Sequence, residues 1–421
     1  MMKTINRLVL VLLFSIRIFL SNAHELVDYV NPMIGATTLD NIGNTDLGLG
    51  KTFPGVCTPF GLVQLSPDTK TGGDNGSGYS YHHTTIEGFS FTHMSGIGWY
   101  GDLGNFLVMP TTGKLHTFKG TEENPDEGYR SRFSHETESA HIDKYEVKLD
   151  DYDIKVELTA APRSGMIRFT YPEHEESRIQ IDLARRIGGT STEQFVEVVD
   201  NHIIRGWMKC TPENGGGQAN YTIYFYCLFS CPLVDFGIWS ADIPEGISRK
   251  NESNDDENYY QYVRNAVIHP QAKVMEGKHL GFYTQFPTRK DEQVLMKCGI
   301  SFVSMEGAQK NLEHDIPDWD FNKVSVCTRK MWNDALSKIK IEGNESDKTT
   351  FYTALYHTMI DPRCFSDIDG KYIGADNKVY QTSTFTYRTI FSGWDVFRSQ
   401  FPLQTIINPD LVNDEINSLI Q

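Results

Sequence analysis

The alternation of apolar and polar residues over about residues 25–310 constrains the fold of this chain more than any other feature. Apolar side chains occupy every second position through 145–149, 154–158, 167–171 and 179–183. This period places the apolar side chains of a strand on one face, and Gly, Pro and Asp separate the successive runs. The pattern predicts many antiparallel strands that form a large β-sandwich domain over 25–310.

Beyond residue 318 the spacing of the apolar residues becomes helical. One helix is predicted to bury Val326, Trp332, Leu336 and Ile339, and the next, capped by Ser346, to bury Phe351, Leu355 and Met359. A last helix should begin with Asn408 as cap and Pro409 in its first turn. We therefore expect a helical linker over 318–341 and the beginning of a helical domain over 346–421. The predicted helices are too few to form a closed ring of helices.

Composition excludes some classes of function. The net charge of -16 and the pI of about 5.3 leave no basic stripe for nucleic acid. Residues 1–23 have basic residues, an apolar run and small residues before Ala23, as a signal peptide does, so we expect cleavage there and export to the periplasm or the medium. No later segment is predicted to span a membrane.

The seven cysteines follow no metal-binding spacing and predict no disulfide framework. Cys227 and Cys231 lie in an apolar alternating stretch, so we interpret them as small core residues. Residues 245–262 are rich in Asn, Asp and Glu around two tyrosines, and we expect an excursion or a solvated loop there.

The segment 391–403 contains the first candidate binding residues. Asp395 and Arg398 can form paired hydrogen bonds to adjacent hydroxyl groups, and Trp394 offers an apolar face to a sugar ring. The alternative is a core helix, because Trp394, Phe397 and Phe401 recur at helical spacing and Asp395 could simply pair with Arg398.

Residues 88–102 contain a second candidate group, His93, Trp99 and Asp102, in a loop rich in glycine and aromatic residues. Stacking and hydroxyl contacts are what a sugar site needs, so we expect these residues on a ligand rim. Their glycines could equally serve the turns of a sandwich, and a metal bound by His93 and Asp102 would lack a third ligand.

Carboxylates alternate with turn residues over 361–376. A calcium loop also alternates oxygen ligands, but the glutamate at its twelfth position is absent, which favours a loop with Asx turns.

Several motifs occur in the order typical of glycoside hydrolase family 92. They are Asn31-Pro32-Met33-Ile34-Gly35, Thr52-Phe53-Pro54-Gly55, Pro59-Phe60-Gly61, Gln64-Leu65-Ser66-Pro67-Asp68, the run 93–102, Lys297-Cys298-Gly299-Ile300-Ser301-Phe302-Val303-Ser304, Thr353-Ala354-Leu355-Tyr356-His357, Phe365-Ser366-Asp367-Ile368-Asp369-Gly370 and Trp394-Asp395-Val396-Phe397-Arg398. The chain resembles that family from about residue 25 onward.

The resemblance implies an exo-acting, calcium-dependent, inverting α-mannosidase built from a β-sandwich, a helical linker and an (α/α)6 toroid, with mannose-containing glycans, including N-glycans, as substrates. It further implies that Asp369 and Asp395 line the pocket and hold the terminal sugar. The family's general acid, the aspartates that activate water and most calcium ligands lie downstream of residue 421, so no catalytic or metal-binding residue is assigned here.

We therefore expect a truncated, inactive portion of such an enzyme. A natural truncation, a fragment, and a split gene with a separately encoded C-terminal part as partner are the alternatives. The alternative is a non-catalytic carbohydrate-binding protein.

Overall fold

The computed structural model describes residues 24–36, 52–69, 77–95, 102–121, 124–212, 219–244, 247, 257–389 and 393–421. Two antiparallel sheets dominate them. The strands of the first sheet are, in spatial order, β1 (Val56–Cys57), β2 (Gln64–Asp68), β4 (Gly88–Ser90), β5 (Leu107–Thr112), β11 (His174–Asp182), β20 (Gly281–Thr288), β17 (Asp235–Ser240) and β18 (Val267–Pro270).

The second sheet has nine strands. In spatial order they are β19 (Val274–Gly277), β14 (Glu193–Val198), β15 (Ile203–Cys210), β16 (Tyr221–Phe229), β21 (Glu292–Ser301), β10 (Ser164–Tyr171), β9 (Ile154–Ala160), β8 (Tyr145–Leu149) and β7 (Ser139–Ala140). Four short ladders complete the strands: β3 (Thr85–Ile86) with β6 (Ser131–Arg132), β12 (Arg185–Arg186) with β13 (Gly189–Thr190), β22 (Arg363–Cys364) with β25 (Arg388–Thr389), and β23 (Lys371–Ile373) with β24 (Val379–Gln381).

The helices lie mostly toward the C-terminus. They are α1 (Glu257–Arg264), α2 (Met305–Asp315), α3 (Phe321–Leu336), α4 (Glu345–His357), α5 (Gly393–Val396), α6 (Gln400–Ile407) and α7 (Pro409–Ile420), with 3-10 helices at Leu26–Tyr29 and Pro125–Glu127. No helix in the described ranges is both long and apolar enough to cross a bilayer.

The main core contains the inward-facing side chains of both sheets, as the alternating pattern predicts. In β8, Tyr145, Val147 and Leu149 are buried, whereas Glu146 and Lys148 between them are partly exposed. Val147 lies opposite Val156 of β9, so apolar residues face one another across the strands. The predicted sandwich followed by helices is confirmed.

A disulfide joins Cys227 of β16 to Cys298 of β21, a pairing that the spacing of the cysteines did not predict. The two residues are directly opposed in the antiparallel ladder, and both side chains face the core. The pairing could not be predicted from local sequence, because 71 residues separate the two cysteines. Cys231 is only partly buried and remains a free thiol.

Helix α2 covers the outer face of the nine-stranded sheet. Its Ala308 and Leu312 pack with Met166 of β10 and Tyr226 of β16. The helix approaches so closely that a Cβ on Gly299 would lie 2.2 Å from the carbonyl oxygen of Ala308, so only glycine fits there.

Helices α3 and α4 pack on the first β-strands through a second core. Trp332 and Tyr356 are fully buried, and Trp332 Nε1 donates a hydrogen bond of 2.7 Å to the Cys57 carbonyl. This core fastens the helical part of the chain to the sandwich.

Three local predictions are wrong. Val326 is 64% exposed on α3, because the buried face of that helix is set by Trp332 and Leu336 instead. Asn344, and not Ser346, caps α4, since its side chain accepts from the Asp347 amide at 2.9 Å. Within 245–262, residues from Glu257 onward belong to α1, whose tyrosines pack with Phe118.

Candidate functional site

A cavity of about 690 Å³ lies where the start of β16 meets the segment between β22 and β25. We call it the aromatic cleft. Its lining residues are Asn220, Tyr221, Thr222, Tyr224, Phe302, Phe365, Ile373, Gly374, Ala375, Asn377, Tyr387 and Thr389. They come from the sandwich and from the C-terminal part of the chain, so the cleft forms only when the two are packed together.

Stacked rings form the wall of the aromatic cleft. Phe302 and Phe365 stack with centroids 4.3 Å apart, and Tyr221 lies 5.8 Å from Phe302. Tyr387 stacks in turn on Tyr372 at 4.2 Å. Rings held by neighbouring rings lose little freedom when a ligand packs on them, which suits them to an apolar sugar face.

Hydrogen bonds hold the side chain of Tyr221, the first residue of β16, in place. The Leu103 amide donates to Tyr221 Oη at 2.9 Å, and Asn105 Nδ2 lies 3.4 Å from the same oxygen. Asn105 is itself fully buried and accepts from Thr92 Oγ1 at 2.8 Å. The segment 102–105 thus supports the cleft although it supplies none of its lining.

His93, one of the predicted rim residues, lies inside the protein. Its ring nitrogens contact the Gln64 carbonyl at 2.8 Å and Asp68 Oδ1 at 3.1 Å. Burial alone would raise the pKa of Asp68, but Arg185 and His93 hold that pKa below its usual range. A Cβ on Gly78, which has φ of 77°, would lie 2.3 Å from Asp68 Oδ1. The sequence signal at His93 therefore marks a packed polar cluster and not a rim.

Asp102 is also buried, and it pairs with a buried arginine. Its Oδ1 lies 3.3 Å from Nη1 of Arg186, and its Oδ2 accepts from the Ala219 amide at 3.2 Å. Asp102 therefore lies beside the aromatic cleft without facing it. Trp99, the third predicted rim residue, falls outside the described residues.

The candidate residues of the Trp394 segment are exposed. Trp394 is 85% and Phe397 53% exposed, and α5 ends at Val396, so the alternative of a continuous core helix is wrong. Among the described residues, no ion pair joins Asp395 to Arg398, and neither of them lines the aromatic cleft. Their contact with a sugar stays a prediction.

Asp369 lines a second, more open cavity of about 530 Å³, together with Asp367, Asp414 and Arg163. Partial burial works against ionisation of Asp369, yet Lys310, 2.8 Å away, holds its pKa below the usual range. Burial raises the pKa of Asp367 to about 6.

A pair of carboxyls with pKa values pushed apart is typical of acid–base catalysis, but Asp367 is already fully engaged. Ser301 Oγ and Asn311 Nδ2 each donate to it at 2.8 Å. Asp367 therefore ties β21 and α2 to the loop that follows β22, and the role of Asp369 as a sugar ligand stays a prediction.

The loop 361–376 contains the predicted Asx turns. The amide of Lys371 donates to Asp369 Oδ1, and that of Lys378 donates to Asp376 Oδ1. Among the residues that the structure describes, no three His, Cys, Asp or Glu side chains come together as a metal site would require. No calcium site is therefore assigned to the described residues, and the calcium that the resemblance implies stays a prediction.

None of the described residues that the sequence predicted as sugar ligands lines the aromatic cleft. Tyr221 lies on the same face of β16 as the buried Ile223 but is only partly buried at the start of the strand, whereas Tyr224 is partly exposed on the opposite face. Phe302 and Phe365 stood within the quoted motifs, but nothing in the sequence brings residues 63 positions apart together.

A sandwich joined to helices, with a cleft of aromatic rings and amides between them, has a lining whose chemistry suits a carbohydrate ligand. Comparison with known families agrees. The family 92 glycosyl hydrolase N-terminal domain matches residues 29–301, and the family 92 catalytic domain matches residues 307–421. The chain belongs to glycosyl hydrolase family 92.

Solved structures of the family are similar to this chain. A family GH92 α-mannosidase from Bacteroides thetaiotaomicron has a TM-score of 0.81 and 32% identity over 95% of this chain and 50% of its own. The complex of a family GH92 α-mannosidase from that organism with mannoimidazole has a TM-score of 0.80 and 33% identity, and the match covers 94% of this chain and 48% of that chain. A family GH92 inverting mannosidase from B. thetaiotaomicron VPI-5482 has a TM-score of 0.75 and 25% identity, and the match covers 95% of this chain and 48% of that chain.

A curated relative, an uncharacterized secreted glycosidase of Arthroderma benhamiae, is 24% identical over 83% of this chain and 44% of its own length. The chain thus spans about half the length of the relatives and structures that it matches.

Proposed function

We propose that the aromatic cleft binds the terminal α-linked mannose of a glycan and forms part of the sugar pocket of an exported α-mannosidase. The observation that carries this proposal is the wall formed by Tyr221, Phe302 and Phe365 beside the amides of Asn220 and Asn377. Rings pack on the apolar C–H face of a pyranose, while amides pair with its hydroxyls. The mannoimidazole complex of the similar mannosidase supports the choice of sugar.

The lining of the aromatic cleft can bind and orient a sugar but cannot move its protons, because it contains no Asp, Glu or His among the described residues. An inverting glycosidase needs two carboxyls roughly 6.5–9.5 Å apart, with water between sugar and base. We therefore infer that the acid, the base and any calcium ligands are supplied by other parts of the family's catalytic domain, and that the 421 residues alone do not hydrolyse mannosides.

The absence of carboxylates from the lining also favours the second candidate function, a carbohydrate-binding protein without catalysis. Both functions use the same cleft and differ only in turnover. Export is part of either proposal, supported by the signal-like residues 1–23 and by the name of the secreted relative.

The test is a calorimetric titration of the 421-residue chain with mannoimidazole, next to an assay of aryl α-mannoside hydrolysis. We expect binding without turnover. Truncating Tyr221 or Phe302 to Ala should weaken binding by roughly 10-fold or more, because each removes about 1–2 kcal/mol of ring contact. Phe195→Ala is the matched control, since Phe195 stacks on Trp207 at 6.1 Å elsewhere on the same sheet.

An affinity that is lost equally in Phe195→Ala and Tyr221→Ala would reject the cleft as the binding site. Turnover that survives in a rigorously purified chain would instead show that catalytic carboxylates exist among these residues.

A further inference from the structure

A buried ion pair lies beside the aromatic cleft and connects the segments that support it. Arg186 of β12 is fully buried, and its Nη1 lies 3.3 Å from Asp102. Arg186 Nη2 donates to the Thr211 carbonyl at 3.0 Å, just beyond β15. The second oxygen of Asp102 accepts from Ala219, two residues before Tyr221. The pair therefore connects the residues just before β16 to the segment 102–105.

Tyr221 is attached to that same segment from the other side. The amide of Leu103, the residue after Asp102, donates to Tyr221 Oη at 2.9 Å. Leu103 has φ of 71°, a conformation that costs a residue with a side chain of order 1–3 kcal/mol. Its carbonyl accepts from the Ile187 amide at 3.0 Å, next to Arg186, so contacts with β12 and Tyr221 hold this backbone in place.

We propose that Asp102 and Arg186 are positioning residues for the aromatic cleft, which fix the orientation of the Tyr221 ring before a ligand arrives. The inference rests on the proposed function, because it concerns how the same cleft achieves its affinity. Neither residue lines the cleft, so both act through Leu103, Ala219 and Tyr221. A side chain that is ordered in advance spares the ligand the entropic cost of ordering it.

A purely structural role of the pair makes a different prediction. A buried pair that only held the sandwich together would change stability when it is lost, and the folded molecules would bind sugar as before. The positioning role requires that folded molecules bind more weakly and that the contacts at Leu103 and Ala219 open more often.

The experiment compares Asp102→Asn with the unaltered 421-residue chain. Asparagine keeps an oxygen for the Ala219 amide but loses the charge that pairs with Arg186. We expect mannoimidazole affinity to fall about tenfold in samples whose thermal unfolding remains cooperative. Amide hydrogen exchange at Leu103 and Ala219 should accelerate about tenfold or more, since local opening becomes easier.

Two further variants keep the test decisive. The double variant Asp102→Asn/Arg186→Met removes both charges, so it avoids an uncompensated buried arginine if the single variant does not fold. It should show the same loss of affinity. Arg205→Met is the matched control, because Arg205 pairs with Glu197 at 2.7 Å across β14 and β15 and is partly exposed. Its affinity and its exchange at Leu103 should match those of the unaltered chain.

Unchanged affinity in folded Asp102→Asn and in the double variant would overturn the proposal, even if exchange accelerated. If the unaltered chain does not bind mannoimidazole, the proposed function fails, and exchange alone then decides the positioning role. Faster exchange at Leu103 and Ala219, with the rest of β16 unaffected, would support that role, and unchanged exchange would overturn it.

Discussion

Single buried side chains hold the sandwich and the C-terminal part of the molecule in register, and Arg363 does so most directly. It is almost fully buried, donates to Gln64 Oε1 at 2.5 Å and to the His93 carbonyl at 2.7 Å, and pairs with Asp361 at 2.8 Å. One guanidinium thus satisfies acceptors from both parts of the chain.

Replacing Arg363 by Met should cost about 3–5 kcal/mol of unfolding free energy, because buried acceptors in β2 and at His93 lose their donor and Asp361 loses its partner. Urea denaturation measures this loss. Arg205→Met, which breaks a partly exposed pair, should cost about 1 kcal/mol or less. Equal losses in the two variants would show that Arg363 does not join the two parts as described.

At the residue scale, the sequence predicted the chemistry better than the location. His93 and Asp102 proved to be buried supports, and the exposed Trp394 proved not to be part of a helix core. Local spacing shows which residues are polar or aromatic, but their exposure depends on packing against segments far away in the sequence.

Secondary-structure elements were predicted well where their pattern is regular. The strands β8 to β11 follow the alternation of apolar residues, and α7 begins at Pro409 as expected. The cap of α4 and the helix α1 were missed, because a single Asx residue or a short polar segment permits more than one local structure. The disulfide between β16 and β21 depends on strand pairing, which no local pattern encodes.

The helix α7 contains a carboxyl that makes stability depend on pH. Burial raises the pKa of Glu415 to about 7, Asp414 adds to this, and Arg388 opposes it. Its Oε1 has no hydrogen-bond partner within the described ranges. Because the folded pKa lies above the unfolded value of 4.5, this carboxyl favours folding most below about pH 4.5, and that contribution is lost as the pH rises to 7.

We therefore expect Glu415→Gln to stabilise the chain by roughly 1–3 kcal/mol at pH 8 and to have little effect near pH 5, where the folded carboxyl is already protonated. Denaturation at the two pH values measures the difference. Glu306→Gln, an exposed change on α2, should have the same small effect at both. A gain from Glu415→Gln that did not depend on pH would contradict the assignment.

At the scale of the whole molecule, the aromatic cleft exists only because two differently built parts of the chain pack together. Tyr221 and Phe302 come from the sandwich side, and Phe365 and Tyr387 come from the segment after α4. The change of period near residue 318 predicted that such parts exist. It could not predict their contact surface, which is fixed by the core around Trp332 and by Arg363.

A crystal structure of the chain with mannoimidazole tests the central claim most directly. The account predicts one ligand in the aromatic cleft, with its ring against Tyr221 or Phe302 and its hydroxyls within hydrogen-bonding distance of Asn220 or Asn377. A ligand bound at the cavity of Asp369 and Asp414, or against Trp394 alone, with the aromatic cleft empty, would contradict it.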